Sequence, residues 1–287
     1  MTVCFFSSDL HGHEERFQKL FRAISDERPD AVFLGGDILP SAGFMFSSQS
    51  SDLADFIADY LVKKFIKLRN ELKNKFPKIF VILGNDDGRS AEASIRDASD
   101  QGIWEYVHNK KVLFKSYSIF GYSYVPPTPF LLKDWEKYDV SRHVDPGSVS
   151  PEEGMRTFPV SDNFLKYSTI KKDLDQLTEN EKLENAIFLF HAPPYKTKLD
   201  RAALDGKMID HVPLDVHVGS IAIQRFIKTR QPLLTLHGHV HESSRLSRSW
   251  RDCIGKTHMF SAAYEGPELA LVRFDPENLE KATRELL

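Results

Sequence analysis

The chain has 287 residues, 41% of them hydrophobic, with a formal net charge of −3 and a pI near 6.4. That is ample material for a buried core, yet no stretch approaches the roughly 18 consecutive apolar residues of a membrane span, and the overall basic field of a nucleic-acid protein is missing. Cys4 and Cys253 are too few for a disulfide framework, and nothing before Val3 reads as a signal segment, so a reduced, cytoplasmic setting is expected.

Residues 3–11 (VCFFSSDLH) are a short continuous apolar run ending in Asp9 and His11, as suits a strand covered on both faces. Phe17, Leu20, Phe21 and Ile24 then recur at helical spacing over residues 13–27. Pro29 and Asp30 turn the chain into a second strand, AVFLGGD, completing a β-α-β unit with a right-handed crossover. A Ser-rich loop over residues 38–51 carries an apolar tip, Gly43-Phe44-Met45-Phe46. A long amphipathic helix over residues 52–75 leads to a third strand, IFVILGND, which ends at Asn85 and Asp86. The first three strands are expected to be parallel.

From there the spacing predicts a short helix over residues 89–99 and shorter strands over 103–108, 112–114 and 118–125, which begin a second sheet. Residues 126–160, rich in Pro, Gly and charge, read as an insertion over one side of the site, because Trp135, Tyr138 and Phe158 give it something to pack. A helix is expected over 161–177, then the strand AIFLFH ending at His191, then a long polar stretch over 192–217. Gly219-Ser220 opens a helix that feeds LLTLHGHVH, and residues 257–263 and 269–274 read as two closing strands. No domain boundary interrupts this order, so the chain reads as one domain over residues 1–287.

Five apolar runs thus end in carboxylate, amide or imidazole groups, and in open α/β sheets ligands bind beyond the carboxyl ends of strands. Asp9, His11, Asp37, Asn85, His191, His239 and His241 together offer only N and O donors. They would suffice for two first-row divalent ions if Asp37 bridged them.

This constellation resembles the calcineurin-like metallophosphoesterase superfamily, whose motifs appear in order as Asp9-Leu10-His11-Gly12, Gly36-Asp37, Gly84-Asn85-Asp86-Asp87, His191 and Gly238-His239-Val240-His241. The resemblance implies a four-layer α/β sandwich of two mixed β-sheets flanked by helices. It further implies that Asp9, His11, Asp37 and His241 hold one ion, and that Asp37, Asn85, His191 and His239 hold the other. Such ions could be Mn, Fe, Zn, Co or Ni, with Mn favoured. A water between ions about 3.5–4 Å apart would lose its proton near neutral pH and attack phosphorus in line.

One departure stands out. The family's usual His after the Asn, thought to protonate the leaving group, is Asp86 here, and neighbouring cations favour an ionised carboxylate that has no proton to give. Asp86 is therefore a candidate catalytic or ligand-orienting residue, with an ordinary loop role as the alternative. His217, just before a helix start, is a second catalytic candidate for phosphate contact, against a plain N-cap by Ser220. His13 could cap the helix or line the mouth, against a solvated helix position; His237 reads as an ordinary hydrogen-bonded His; Arg89 and Lys198 lie in loops that could reach the site, against solvated surface charge.

The expected function is hydrolysis of a small phosphate-containing substrate, with a phosphodiester first. A phosphomonoester, or the pyrophosphate of a nucleotide or lipid-linked sugar, is the alternative. A non-catalytic interaction module with the same fold is the rival from another class. The acidic charge argues against a nuclease, and oligomeric state has no signature.

Overall fold

The computed structural model describes residues 2–41 and 56–287. The apolar tip around Phe44 and the start of the expected helix at Asp52 lie outside the described residues.

Two six-stranded sheets form the centre. In the first, β1 (Cys4–Ser7), β2 (Ala31–Gly35), β3 (Lys78–Ile82) and β4 (Glu105–Tyr106) run parallel, while β13 (Ala270–Phe274) and β14 (Thr283–Leu286) add antiparallel beyond β1. In the second, β6 (Tyr117–Tyr122), β7 (Ala186–Phe190), β10 (Leu234–His237) and β12 (Thr257–Ser261) run parallel, edged antiparallel by β5 (Lys110–Phe114) and β11 (Arg251–Ile254). A two-stranded ribbon, β8 (Met208–Ile209) with β9 (Val212–Pro213), stands apart.

The inner strands β1, β2, β3, β7 and β10 are almost wholly apolar because both their faces are covered. Side chains alternate across a strand, so Cys4, Phe6, Ala31, Phe33, Phe80 and Ile82 point into the space between the sheets. There they meet Ile119, Ile187, Leu189, Leu234, Leu236 and Phe260. Their neighbours Phe5, Val32, Leu34, Ile79 and Val81 point outward and pack beneath Phe17, Leu20, Ile24, Phe65 and Leu68 of the covering helices. On the other side Phe188 and Phe190 meet Phe226 of helix Ile221–Arg230. The result is the helix–sheet–sheet–helix sandwich.

Several boundaries differ from the expectation, each for a local reason. The helix expected over 161–177 breaks into Asp162–Tyr167 and Ile170–Leu177, because Thr169 adopts an extended conformation and its hydroxyl accepts the Lys172 N–H as a new N-cap. The described part of the long second helix consists of a π-helical stretch, Phe56–Val62, helix Lys63–Leu72 and a closing 3-10 turn, Lys73–Lys75. The tail contains β11 and β14 besides the two expected strands. Both are short, charged edge strands whose half-exposed residues lack an apolar run.

Residues 126–160 hold no long element, but they are pinned. Trp135 and Tyr138 are buried, as are Lys133, Asp134 and Glu136. Lys133 Nζ donates to Glu136 Oε2 at 2.5 Å and to the Thr128 carbonyl at 2.8 Å. Asp134 accepts the backbone N–H of Arg89 (2.8 Å) and of Thr157 (2.9 Å). Arg89 corrects its expected surface role: its guanidinium lies 5.2 Å from the Trp135 ring and 5.6 Å from the Phe158 ring, and it bonds to Glu92 and Tyr124. It fastens residues 126–160 to the turn and helix that follow β3.

Candidate metal centre

The carboxyl ends of β1, β2, β3, β7 and β10 meet at one edge of the sandwich, where each chain leaves its strand sharply. Asp9, His11, Asp37 and His239 all have positive φ, at 57°, 48°, 49° and 75°. An L-residue takes this conformation at a cost of about 1–3 kcal/mol, which persists where surrounding bonds over-determine it and is concentrated at functional sites. Those bonds are visible. The Asp9 and His11 N–H groups donate to Gly36 and Asp37 carbonyls (3.0 and 2.8 Å), and the His239 N–H donates to Asp9 Oδ1 (3.0 Å).

Close approach of the strand ends also requires glycine. A Cβ on Gly84 would lie 2.3 Å from Asp37 Oδ1 and 2.6 Å from His191 Cε1, and one on Gly36 would lie 2.7 Å from His191 Nδ1.

Asp9, His11, Asp37 and His241 each offer a ligand atom, all four within 4.8 Å of one another. His11 Nε2 and His241 Nε2 face each other at 3.2 Å, and Asp9 Oδ1 is 3.2 Å from His241 Nε2. Beside them, His191 Nε2 lies 3.0 Å from Asn85 Oδ1 and 3.2 Å from Asp37 Oδ2. Its other nitrogen donates to the Gly35 carbonyl at 2.8 Å, tying the second sheet to the first and aiming Nε2 at the acidic pair. The His239 ring packs 5.2 Å from that of His191. Buried or half-buried N and O donors that face one another around two carboxylates suit divalent cations.

The electrostatics agree. Burial alone would raise the Asp9 carboxyl, but the His241 hydrogen bond and the nearby His191 and His11 rings hold it well below the usual range. Against the same burial, His191 brings Asp37 down to about 2. Burial would lower His11 and His191, yet the Asp86 hydrogen bond to the first and the Asp37 charge on the second, with Asp9 acting on both, lift each to about 9. The pocket thus draws positive charge to His11, His191 and His241, while burial and the nearby His191 hold His239 down at about 3.

Asp86 and Asp87 do different work. The Asp86 N–H donates to Asp37 Oδ1 (2.8 Å), while its carboxylate accepts from His11 Nδ1 (3.1 Å) and Ser41 Oγ (2.7 Å). Asp87, fully buried, accepts the N–H groups of Gly84 (2.8 Å), Leu39 (2.8 Å) and Ile38 (3.3 Å), stitching two strand-end loops together. Burial and the neighbouring Asp37 charge push its carboxyl up to about 7.

A cleft of about 560 Å³ opens over this cluster. It is lined by His11, Asp37, Asn85, Asp86, His239 and His241, with Ser41, Glu242 and an apolar group from the insertion around it. His217 is not among the residues lining this cleft. Its Nδ1 lies 2.8 Å from Asp200 Oδ1. The helix start behind it is filled by Asp139, whose carboxylate accepts from Ser220 Oγ and from the N–H groups of Ile221 and Ala222. Nothing in the local sequence foretold that Asp139, 82 residues from Ile221, would occupy the helix N-terminus. His237 is hydrogen-bonded, to the Ala192 carbonyl and the Thr235 hydroxyl, and the structure buries it fully. Lys198 is exposed, and His13 stands at the exposed start of helix Glu14–Glu27 without capping it.

Among the described residues no helix is long and apolar enough to cross a membrane. None of the curated proteins matches the chain in sequence. Solved structures do share its fold. A Thermus thermophilus protein superposes with a TM-score of 0.55 at 17% identity, covering 99% of this chain and 98% of that one. A dimetal phosphatase from Danio rerio superposes with a TM-score of 0.51 at 11% identity, covering 99% and 95%. The Phosphopantetheinyl Hydrolase of Mycobacterium tuberculosis gives 0.50 at 12% identity, covering 92% and 90%. The sequence model for the calcineurin-like phosphoesterases matches residues 4–243, and the chain belongs to that family.

Proposed function

We propose that the protein is a dinuclear metal-dependent phosphodiesterase. The observation that carries this reading is the convergence of donor groups from five strand ends at one edge of the sandwich, where His11, Asp37, Asn85, His239 and His241 line a cleft and the buried Asp9 and His191 lie against them. Asp9, His11, Asp37 and His241 would hold one ion, and Asp37, Asn85, His191 and His239 the other. Bound there, two divalent cations supply Lewis-acid stabilisation of a phosphoryl group and a nucleophile at neutral pH.

The residues of the chain do the rest. The Gly35 carbonyl and the Asp86 carboxylate orient His191 and His11, so that the facing ring nitrogens remain available. Asp37 stands between the two groups of donors, with Oδ1 steadied by the Asp86 N–H and Oδ2 facing His191. Asp86 is engaged on both oxygens, and besides the proposed ligand Asp37 the described cleft walls offer no other carboxyl but Glu242. A substrate whose leaving group departs without help from a strong proton donor suits this arrangement.

The charges of the cleft's own side chains, as distinct from those of the ions, favour a diester over a monoester. Among the described residues no Lys or Arg lines the cleft, while Asp86 and Glu242 do. A diester carries one negative charge there, a monoester nearly two at neutral pH, so acidic walls penalise the monoester more.

The test is turnover of bis-p-nitrophenyl phosphate beside p-nitrophenyl phosphate, after metal removal and re-addition of Mn. The expected result is Mn-dependent hydrolysis favouring the diester. A preference for the monoester would overturn the diester assignment, and turnover of neither with two ions bound would favour the non-catalytic rival.

A further inference from the structure

Beyond the phosphate, the cleft is shaped for a hydrocarbon. Phe130, Leu131, Leu132 and Met155 of the insertion line it together with the donor cluster. Phe130 is 61% exposed, Leu131 56% and Met155 43%, so three large apolar side chains stand in water at the mouth of a polar site. Adjacent exposed apolar side chains on a concave surface mark a surface meant to be covered.

Their support is rigid. The Met155 N–H donates to the Leu131 carbonyl (2.7 Å) and the Lys133 N–H to the Met155 carbonyl (2.8 Å), so the two segments run as a short ladder. Beneath it lies the buried Lys133–Glu136 pair, with Thr128 accepting from Lys133 and Phe130 and donating to Glu136. A Cβ on Gly154 would lie 2.2 Å from Lys133 Cγ, which shows how tightly the ladder sits on that lysine. Buried ionic bonds thus hold exposed hydrophobic side chains in place beside the donor cluster. A lip built this way is preorganised for a ligand, since little ordering entropy is left for binding to supply.

We propose that the substrate is a phosphodiester bearing an apolar hydrocarbon group, alkyl or aryl, which Phe130, Leu131 and Met155 cover while the phosphate faces the donor cluster. The inference rests on the phosphodiesterase reading and assigns the substrate's second half. The absence of Lys and Arg from the described cleft walls weighs against a substrate with further phosphates, which would need cations beyond the metals.

The experiment compares methyl, hexyl and phenyl p-nitrophenyl phosphate with the Mn-loaded protein, so that leaving group and charge stay constant. Each buried methylene adds to transition-state binding, and kcat/KM for the hexyl ester should exceed that for the methyl ester by about tenfold or more. The phenyl ester tells an aryl-preferring lip from an alkyl-preferring one. In F130S/L131S, both exposed in the parent, the hexyl-to-methyl ratio should fall toward one with two ions still bound. Equal kcat/KM for all three esters would overturn the inference and leave the phosphodiesterase reading standing. If none is turned over, that reading fails. Calorimetry with hexylphosphonate and methylphosphonate then still decides the lip: binding of the hexyl compound no tighter than the methyl one overturns it.

Discussion

His11 Nδ1 lies 3.1 Å from Asp86 Oδ2, and the backbone N–H of the same Asp86 lies 2.8 Å from Asp37 Oδ1. One residue therefore touches two proposed ligands, its side chain orienting an imidazole and its backbone steadying a carboxylate. Asp86→Ala removes the acceptor on His11 but leaves the backbone bond. A lost carboxylate partner of a ligating His typically costs 10–100-fold in metal affinity. Metal titration of D86A should show a loss in that range, about 10–100-fold, with D86N retaining more, because its amide oxygen can still accept. Unchanged affinity in D86A would mean that Asp86 does not position His11.

Gly84→Ala tests how closely the strand ends approach. Its Cβ would fall 2.3 Å from Asp37 Oδ1. Relief requires moving Asp37 or His191, and overpacking of this kind costs about 1–3 kcal/mol. Denaturant unfolding should show that loss, together with reduced metal content. Parent-like values for both would contradict the geometry.

The insertion should depend on its buried ion pair. Lys133→Met leaves Glu136 without its cation, although the Thr128 hydroxyl and N–H still donate to it. Removing one member of a buried pair costs about 3–5 kcal/mol. The loss should appear in chemical denaturation, and amide exchange should rise first around residues 128–136. The double variant K133M/E136L should recover much of it, since no unpaired charge then remains.

His108 gives a pH dependence away from the donor cluster. Its ring is enclosed by Tyr106, Tyr122, Tyr124 and Trp135, and its Nδ1 accepts the Ser123 N–H at 3.0 Å. Burial, with the Lys137 and Arg89 charges acting the same way, holds the imidazole well below its ordinary range. The unfolded chain takes up a proton near pH ~6.5 that the folded chain refuses. The contribution of His108 is therefore complete above that pH and lost as pH falls toward the folded value. In metal-stripped protein, His108→Gln should lose less stability than the parent between pH 7.5 and pH 5. A His108 ring resonance that titrates normally near neutrality would refute the assignment.

Much of the architecture was legible because β1, β2, β3, β7 and β10 are covered on both faces and therefore read as unbroken apolar runs. The candidate site was legible for a related reason: each run stops at a residue that cannot stay in a core. Edge strands β11 and β14 escaped notice because half or more of their residues are exposed, and edge strands carry charge to deter pairing. Contacts over long sequence separation were beyond local reading. Asp139 filling the start of helix Ile221–Arg230 is one, and Arg89 lying on Trp135 is another. The position of Asp86 was plain from the motif, but its partners Ser41 and His11 come from other loops.

The metal stoichiometry of activity tests the dinuclear centre most directly. Metal-stripped protein is titrated with Mn while hydrolysis of bis-p-nitrophenyl phosphate is followed, in the parent and in Asp37→Asn, the variant at the proposed bridging residue. A dinuclear centre bridged by Asp37 gives no turnover without metal, a plateau at two ions per chain for the parent, and in the variant both reduced binding and abolished hydrolysis. Full metal content with full activity in Asp37→Asn would contradict it, as would parent turnover that does not depend on metal.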